Sequence, residues 1–329
     1  YYLATGRPQA AMVHVNVVLS NSVMGLINMA SDNVPLFMMA GRTPLTEHER
    51  TGARMTPIQY GQEMRDQTGL IRDVVKWDYE LRYPEQVAGL VDRGIAIAKS
   101  APAGPVYLGL PREPLAEPWP DGRAIDNALQ AIPTRPAPDP EAILQAAEWM
   151  EKARHPLIIC QRGDPKGRLS QVLSDLATNH AIPVVENFSV QNILPSAHPM
   201  QGGFDAGIWL GDADVVLAID TEVPWIQRNQ SPSKDAKIIH LGVDPLFTRM
   251  PARSYQNDLA IMSDPVNGIE ALAAAMTGRQ NLERFNIIRE TNEARRADAR
   301  ARALKGNGSP MTPAFVATCV SNILGEDGR

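Results

Sequence analysis

The sequence predicts an α/β protein made of two doubly wound, mainly parallel sheet domains. Three observations predict it. Short continuous apolar runs such as "AMVHVNVV", "PLFMMAG", "PLIIC" and "VVLAID" are bounded by turn residues, which suits strands buried on both faces. Segments with helical apolar spacing alternate with these runs. A proline-rich stretch then divides the 329 residues into two such series, and a chain of that length is long for a single core.

Taken in order, "AMVHVNVV" is read as a strand ending in Asn16-Val17-Val18. A helix is then expected to start at Ser20-Asn21, with Val23, Leu26, Ile27 and Ala30 at helical spacing. A second strand closes on Gly41-Arg42. "PEQVAGLVDRGIAIAKSA" opens on a proline and places Val87, Leu90, Val91, Ile95 and Ala98 on one face of an amphipathic helix. "GPVYLGLP", residues 104–111, follows as another strand. Between Pro111 and Pro140, 8 of 30 residues are proline, so that stretch is expected to cross between domains as an extended spacer.

The second series starts with the helix "EAILQAAEWMEKA", residues 141–153. Strands "PLIIC", "PVVEN", "VVLAID" and "KIIHLGVD" then alternate with helices such as "GRLSQVLSDLATNHA". No G-x-G-x-x-G is present: "GGFDAG" at Gly202 to Gly207 has the wrong spacing and is read as following a loop, so independent dinucleotide binding has little sequence support. After Asp264 come the helix "VNGIEALAAAM" and a basic helix with five cationic residues between Arg295 and Lys305, read as a solvated face. "KGNGSP" forms a second linker before a last amphipathic segment.

A net charge of -5 gives no electrostatic argument for nucleic acid or an anionic membrane as partner. No apolar run approaches the roughly 18 residues of a membrane helix, and no signal peptide is visible. Cys160 and Cys319 lie in apolar runs without metal spacing and are read as buried inert thiols, which fits a cytoplasmic location. The chain starts at Tyr1 without an initiator methionine and stops just after a new amphipathic helix, so both ends are read as cut.

The turn between the first strand and its helix raises a chemical question. A strand–turn–helix–strand unit holds its ligand at the strand's carboxyl end, commonly on glycine that lets backbone approach a phosphate. Here the turn carries two valines. Arg42, at the end of the second strand, faces the same edge, either toward a ligand or in a salt bridge to Glu47 or Glu49. His14 and His48 have no spaced partners for a metal site or triad, and are read as a core histidine and a loop residue.

Two α/β units, a proline-rich crossing, a second linker and the start of a third unit form an order that resembles the thiamine-diphosphate-dependent decarboxylase and acetolactate synthase-like family. "TGRPQAAMVHVNV", "NMASDNVPLFMMAGRTP", "QEMRDQTGLIRDVVKWDYEL" and "GPVYLGLPREPL" look like its pyrimidine-binding domain from the second strand onward. "EKARHPLIICQRG" and "GDADVVLAIDTEVPW" look like its central domain, a fold related to NAD- and FAD-binding domains. The resemblance implies a partial, truncated pyrimidine domain over 1–116, a linker over 117–140 and a central domain over 141–280. Residues 281–329 would be a helix, a linker and the start of a diphosphate-binding domain that is otherwise absent.

The resemblance also implies site residues. In such enzymes the first turn packs at the aminopyrimidine ring, not at a phosphate, and Asn21 matches an asparagine near that ring; a helix cap is the compatible plain reading. Arg42 is placed with Asn21 as cofactor-binding. Gln62 matches a glutamine facing the catalytic centre of a neighbouring subunit, against a surface helix position. Lys76 matches a frequent active-site-facing lysine, against a buried ion-pair partner or a side chain snorkelling to water. Relatives read Asn-Val-Gly where this chain has Asn16-Val17-Val18, so a valine at 18 would be strained if a positive φ is required there.

The family's cofactors are thiamine diphosphate and Mg2+, and its substrates are 2-keto acids that lose carbon dioxide or are joined to a second carbonyl acceptor. The glutamate that activates the pyrimidine would precede Tyr1. The Gly-Asp-Gly…Asn metal signature does not occur, and the terminal "GEDGR" is not one. Residues 1–329 alone are therefore expected not to catalyse the family reaction. FAD is not expected, because the place of the flavin-binding stretch reads "TEVPWIQRNQSP". Family active sites form between subunits, so a homodimer or homotetramer is expected. The alternatives are a non-catalytic remnant, or a partner-completed subunit that binds a nucleotide or a protein partner. A third is an unrelated α/β oxidoreductase.

Overall fold

The computed structural model describes residues 1–120, 124 and 129–325. The chain divides into two compact units, Tyr1–Pro136 and Ala137–Arg329. Of the proline-rich spacer, residues 121–123 and 125–128 lie outside the described residues, as does all of "GEDGR" except Gly325.

The first unit runs α1 (Tyr2–Thr5), β1 (Gln9–Val13), α2 (Asn16–Ser31), β2 (Leu36–Arg42), α3 (Pro57–Gly61), β3 (Asp78–Glu80), α4 (Val87–Lys99), β4 (Pro105–Pro111) and α5 (Arg112–Ala116). Among the described residues its sheet has four strands, all parallel, in the order β1-β2-β4-β3. The side-chain period of two divides the core. Leu36, Met38, Ala40 and Tyr107 face Leu19 and Leu26 of α2, with Ile71 and Val75. Phe37, Val106, Leu108 and Leu110 face the other way, onto Leu81 and Ala98. β4 is buried along its whole length, as its unbroken apolar run predicts.

The first turn differs from the sequence reading. The strand ends at Val13 and the helix already begins at Asn16, with Val15 as its N-cap and no side-chain cap bond. Val17 and Val18 are thus helical, and Val18 is not among the residues with positive φ, so the strain expected there does not arise. Asn21 lies in the second turn of α2, exposed, and cannot cap the helix. His14 is exposed instead of core, and His48 is an exposed loop residue.

The second unit runs α6 (Pro140–Lys152), β5 (Pro156–Cys160), α7 (Arg168–His180), β6 (Val184–Glu186), β7 (Gln201–Gly203), α8 (Gly207–Leu210), β8 (Val215–Ile219), β9 (Lys237–Gly242), β10 (Leu259–Met262), α9 (Pro265–Ala275), α10 (Leu282–Leu304) and α11 (Pro313–Leu324). Caps set the helix starts. Asp139 accepts from the N–H groups of Glu141 and Ala142 ahead of Pro140, and Asp264 does the same for Val266 and Asn267 ahead of Pro265. In α7, Leu169, Leu173, Leu176 and Ala177 recur at helical spacing and are all buried.

Among the described residues the sheet has six parallel strands in the order β10-β9-β8-β5-β6-β7. Counted within the unit this is the doubly wound order, in which the chain reverses direction across the sheet between β5 and β8. The sequence reading missed β7 and β10. Gly202 and Gly203 lie in β7, so "GGFDAG" begins inside a strand and not after a loop, and the helix behind it is only four residues long. The basic helix is not uniformly solvated either. Arg295 donates to Gln201 O (2.9 Å) and Arg296 to His198 O (3.4 Å), while Arg300, Arg302 and Lys305 are exposed. Cys160 is buried, where desolvation pushes its thiol well above the ordinary range; Cys319 is only half-buried, and both are free. No described helix is long and apolar enough to cross a membrane.

Candidate functional site

In the first unit, the carboxyl ends of β2 and β3 carry Arg42 and Glu80. Arg42 donates to Glu80 Oε2, to Glu63 Oε1 (3.3 Å) and to Met64 O (3.3 Å). Its acidic partners are therefore Glu63 and Glu80, not Glu47 or Glu49. Burial opposes the guanidinium charge, but the two carboxylates outweigh it and raise the Arg42 pKa. Glu63 also accepts from Thr43 Oγ1 (2.6 Å) and from Arg54, which lies 4.7 Å over the Tyr60 ring. Residues 43–66 thus form an arch pinned to the ligand edge of the sheet at Glu63. A second pin is Glu113, whose Oε1 accepts from Thr46 N (2.7 Å) and Oγ1 (2.8 Å).

Gln62 is half-buried at the end of α3, its N–H on Ile58 O (2.9 Å), directly beside Glu63. The fold thus brings Arg42 and Gln62 to one edge. Lys76 is not brought there. Its backbone N–H bonds Pro105 O at the start of β4, whereas Arg42 is in register with Pro111 at the end of that strand. Six residues of strand separate those levels, about 20 Å. The Lys76 ammonium donates to Ile97 O (2.7 Å), Ser100 O (2.7 Å) and Ser100 Oγ (2.8 Å) at the carboxyl end of α4.

In the second unit, the reversal of strand order opens a crevice outside β5 and β8, the usual ligand position of such sheets. The loop after β5 carries Gln161 and Arg162, and the loop after β8 carries Asp220, Thr221 and Glu222. Arg162 donates to Asp220 O (3.1 Å) and to Glu222 Oε1. Burial raises the Asp220 carboxyl above the ordinary range despite Arg162 beside it. Arg253 donates to Glu222 O (2.7 Å) and Thr221 O (3.1 Å) and stacks 4.5 Å over Phe247. At the opposite, amino edge, a groove is bordered by Arg154, Pro183, Trp209, Arg284 and Ile287. Trp209 Nε1 is committed there to Gly202 O (2.9 Å).

Comparison with known proteins now adds to this geometry. The family model described as "Thiamine pyrophosphate enzyme, central domain" matches residues 143–272, from the first turn of α6 into α9. Residues 143–272 are thus similar to the central domains of thiamine pyrophosphate enzymes. The chain is 24% identical over 230 residues to oxalyl-CoA decarboxylase of Escherichia coli (strain K12), covering 68% of the chain and 39% of the relative. It is 32% identical over 193 residues to a sulfoacetaldehyde acetyltransferase of Rhodobacter capsulatus, covering 55% of the chain and 31% of the relative. Acetolactate synthase isozyme 1 large subunit of E. coli (strain K12) is 23% identical over 257 residues, with 73% of the chain and 42% of the relative covered.

Among solved structures, benzoylformate decarboxylase from Polynucleobacter necessarius superposes with a TM-score of 0.65 at 20% identity, over 85% of this chain and 53% of that one. A Mycobacterium smegmatis protein described as thiamin diphosphate-dependent gives 0.70 at 21%, with the same coverage. The α/β fold with two parallel sheets matches these neighbours. The chain spans about half the length of the structures it matches, and less than half of these curated relatives.

The residues that the sequence reading did not single out are the ones that build the carboxyl edge of each sheet: Glu63 and Glu80 in the first unit, Arg162, Asp220, Glu222 and Arg253 in the second. The available signal was position. "QRG" directly follows strand "PLIIC" and "DTE" overlaps the end of "VVLAID", so charged residues occupy both lips of the crevice. Among the described residues no group of His, Cys, Asp and Glu could hold a metal ion.

Proposed function

We propose that this chain is part of a thiamine-diphosphate-dependent enzyme that acts on 2-keto acids by decarboxylation, carboligation or both, in an acetolactate synthase-like manner. One observation carries the reading. The structural likeness to benzoylformate decarboxylase covers 85% of the chain, a span that neither compact unit could supply alone, and a central-domain family model independently matches residues 143–272. In this reading residues 1–116 are part of a pyrimidine-binding domain, 117–140 a linker and 141–280 the central domain. Residues 281–329 lead into a diphosphate-binding domain.

Thiamine diphosphate, held with Mg2+, supplies the electron sink that lets a 2-keto acid lose carbon dioxide. This chain's residues contribute the pyrimidine side of such a site: Arg42 and Glu63 fix the arch at the ligand edge, and Gln62 is the side chain that arch presents. The exposed Val17, Val18 and Met24 on α2 form an apolar face suited to a second subunit, in keeping with a homodimer or homotetramer, and Asn21 on the same helix is the polar group near the pyrimidine in this reading. Lys76 is assigned a structural role at the end of α4. FAD is not part of the reading, and a cytoplasmic location fits the free cysteines.

The experiment is calorimetric titration of the protein that carries this sequence with thiamine diphosphate and Mg2+, followed by carbon dioxide release from a panel of 2-keto acids. Saturable cofactor binding and keto-acid-dependent release are expected. Binding absent from every preparation would favour a non-catalytic or partner-completed subunit.

A further inference from the structure

The strand order of the central domain points to one ligand position, the crevice outside the carboxyl ends of β5 and β8. We infer that this crevice is closed by the chain's own side chains, with Arg162 as the bolt, and that the central domain excludes FAD, NAD and ADP from the place its topology would give them. The inference does not depend on the proposed keto-acid chemistry.

Cross-bonds between the two lips come first. Gln161 Oε1 accepts from Glu222 N (2.9 Å), Arg162 Nη1 donates to Asp220 O (3.1 Å), Arg162 Nη2 to Glu222 Oε1, and Thr221 Oγ1 to Ile159 O (3.2 Å). A dinucleotide needs these loops apart, and here they are sewn together by groups that are almost wholly buried: Arg162 is 7% exposed and Thr221 1%.

The second point is the seat itself. A pyrophosphate rests on bare backbone N–H groups, which is why glycines line such turns. In this turn the side chains of Gln161 and Arg162 fill the space, and the first glycine is Gly163, whose added Cβ would already sit 3.1 Å from Gln191 Cβ. Charge is the third. Asp220 and Glu222 flank the position a diphosphate would take and would repel it, and Arg162, the cation between them, is already ion-paired with both through its Nη atoms. Entry of a nucleotide would break two ion pairs and set two carboxylates against its phosphates. Arg253, stacked on Phe247 and 5.0 Å from the Tyr255 ring, backs the same loop from behind.

An arginine at this position could instead be a phosphate ligand waiting to swing outward, and one experiment separates the two. The purified protein is titrated calorimetrically with FAD, NAD and ADP, each to about 1 mM, alongside its Arg162→Lys and Arg162→Ala variants. The expected result is no saturable binding to the wild type, with Arg162→Lys lowering the melting temperature by several degrees and Arg162→Ala by roughly 10 °C. Where Arg162→Ala does not fold, the wild type and Arg162→Lys decide. Saturable binding of any of the three nucleotides to the wild type, weakened tenfold or more in Arg162→Lys, would overturn the inference.

Discussion

Arg284 on α10 donates its Nη2 to the carbonyl oxygen of His180, 2.7 Å away at the last residue of α7. The same guanidinium reaches Ala181 O (3.0 Å) and, on the other side, Ala153 O (2.9 Å) and Arg154 O (3.3 Å) past the end of α6. One side chain thus satisfies the carbonyls that two helices leave unpaired at their carboxyl ends. Arg284→Ala is expected to cost about 3 kcal/mol, since hydrogen bonds to charged groups count for more than neutral ones and several are lost at once. Arg284→Lys should recover less than half of that, because one ammonium cannot serve both helices. Urea denaturation of the three proteins measures it.

Two glycines in α4 should respond with opposite signs. Gly89 has nothing within 4 Å of an added Cβ, so Gly89→Ala should stabilise by about 0.5 kcal/mol through helix propensity alone. A Cβ on Gly94 would run into the Phe37 ring. Gly94→Ala should therefore destabilise by about 2 kcal/mol, the overpacking cost exceeding the propensity gain. Thermal melts that move in the same direction for both variants would contradict the packing of α4 on β2.

Acid should weaken the second unit through His240. Burial first, and then the Arg253 guanidinium, push its pKa down to about 4 from an ordinary 6.5. The folded state thus holds the neutral ring while the unfolded chain binds the proton, so this contribution is intact above pH 6.5. It is lost as pH falls from 6.5 toward 4, up to about 3 kcal/mol. His180 and His198 are shifted in the same direction. Asp220, raised by burial, works in the opposite sense, so the informative quantity is the difference from His240→Asn, whose stability should fall less between pH 7 and pH 5.

Lys76 and Gln62 separate structure from function. Lys76→Met removes a cation from the carboxyl end of α4 and should cost about 1–2 kcal/mol with little effect on turnover beyond that expected from stability. In the enzyme proposed above, Gln62→Ala should leave the melting temperature within a degree or two and raise the KM for the 2-keto acid. Glu63→Gln should loosen the arch, seen as faster amide exchange over residues 54–64, and raise KM in the same way. A Gln62→Ala enzyme with unaltered KM on every 2-keto acid turned over would remove Gln62 from the site.

Much of this fold was legible. The unbroken apolar run of β4 reported its structure directly, because burial is a local signal, and the helix read from Glu141 starts one residue earlier, at Pro140 behind the Asp139 cap. The start of α2 was misread because Val17 and Val18 extend an apolar run, and a short run of β-branched residues reads equally as strand or helix. β7 is three residues with two glycines and carried no strand signal, whereas β10 is the four-residue apolar run "LAIM", too short to be told from a helix by periodicity. The pairing of charges across the edges was illegible for a different reason. Arg42 meets Glu63 and Glu80 across 21 and 38 residues, and Arg162 meets Glu222 across 60, and no spacing rule links partners that only the sheet brings together.

The bridge at the crevice also has a consequence in time. The chain lays β5, β6 and β7 outward, then returns to set β8 against β5, so the seam between the two half-sheets closes a loop of some sixty residues. Such long-range closure is entropically costly and belongs late on the route to the native state. We expect the Arg162 bond to Glu222 to form after the folding barrier has been crossed. Its loss should leave the refolding rate nearly unchanged and speed unfolding, so the residue that shuts the crevice also sets how long the central domain survives once formed.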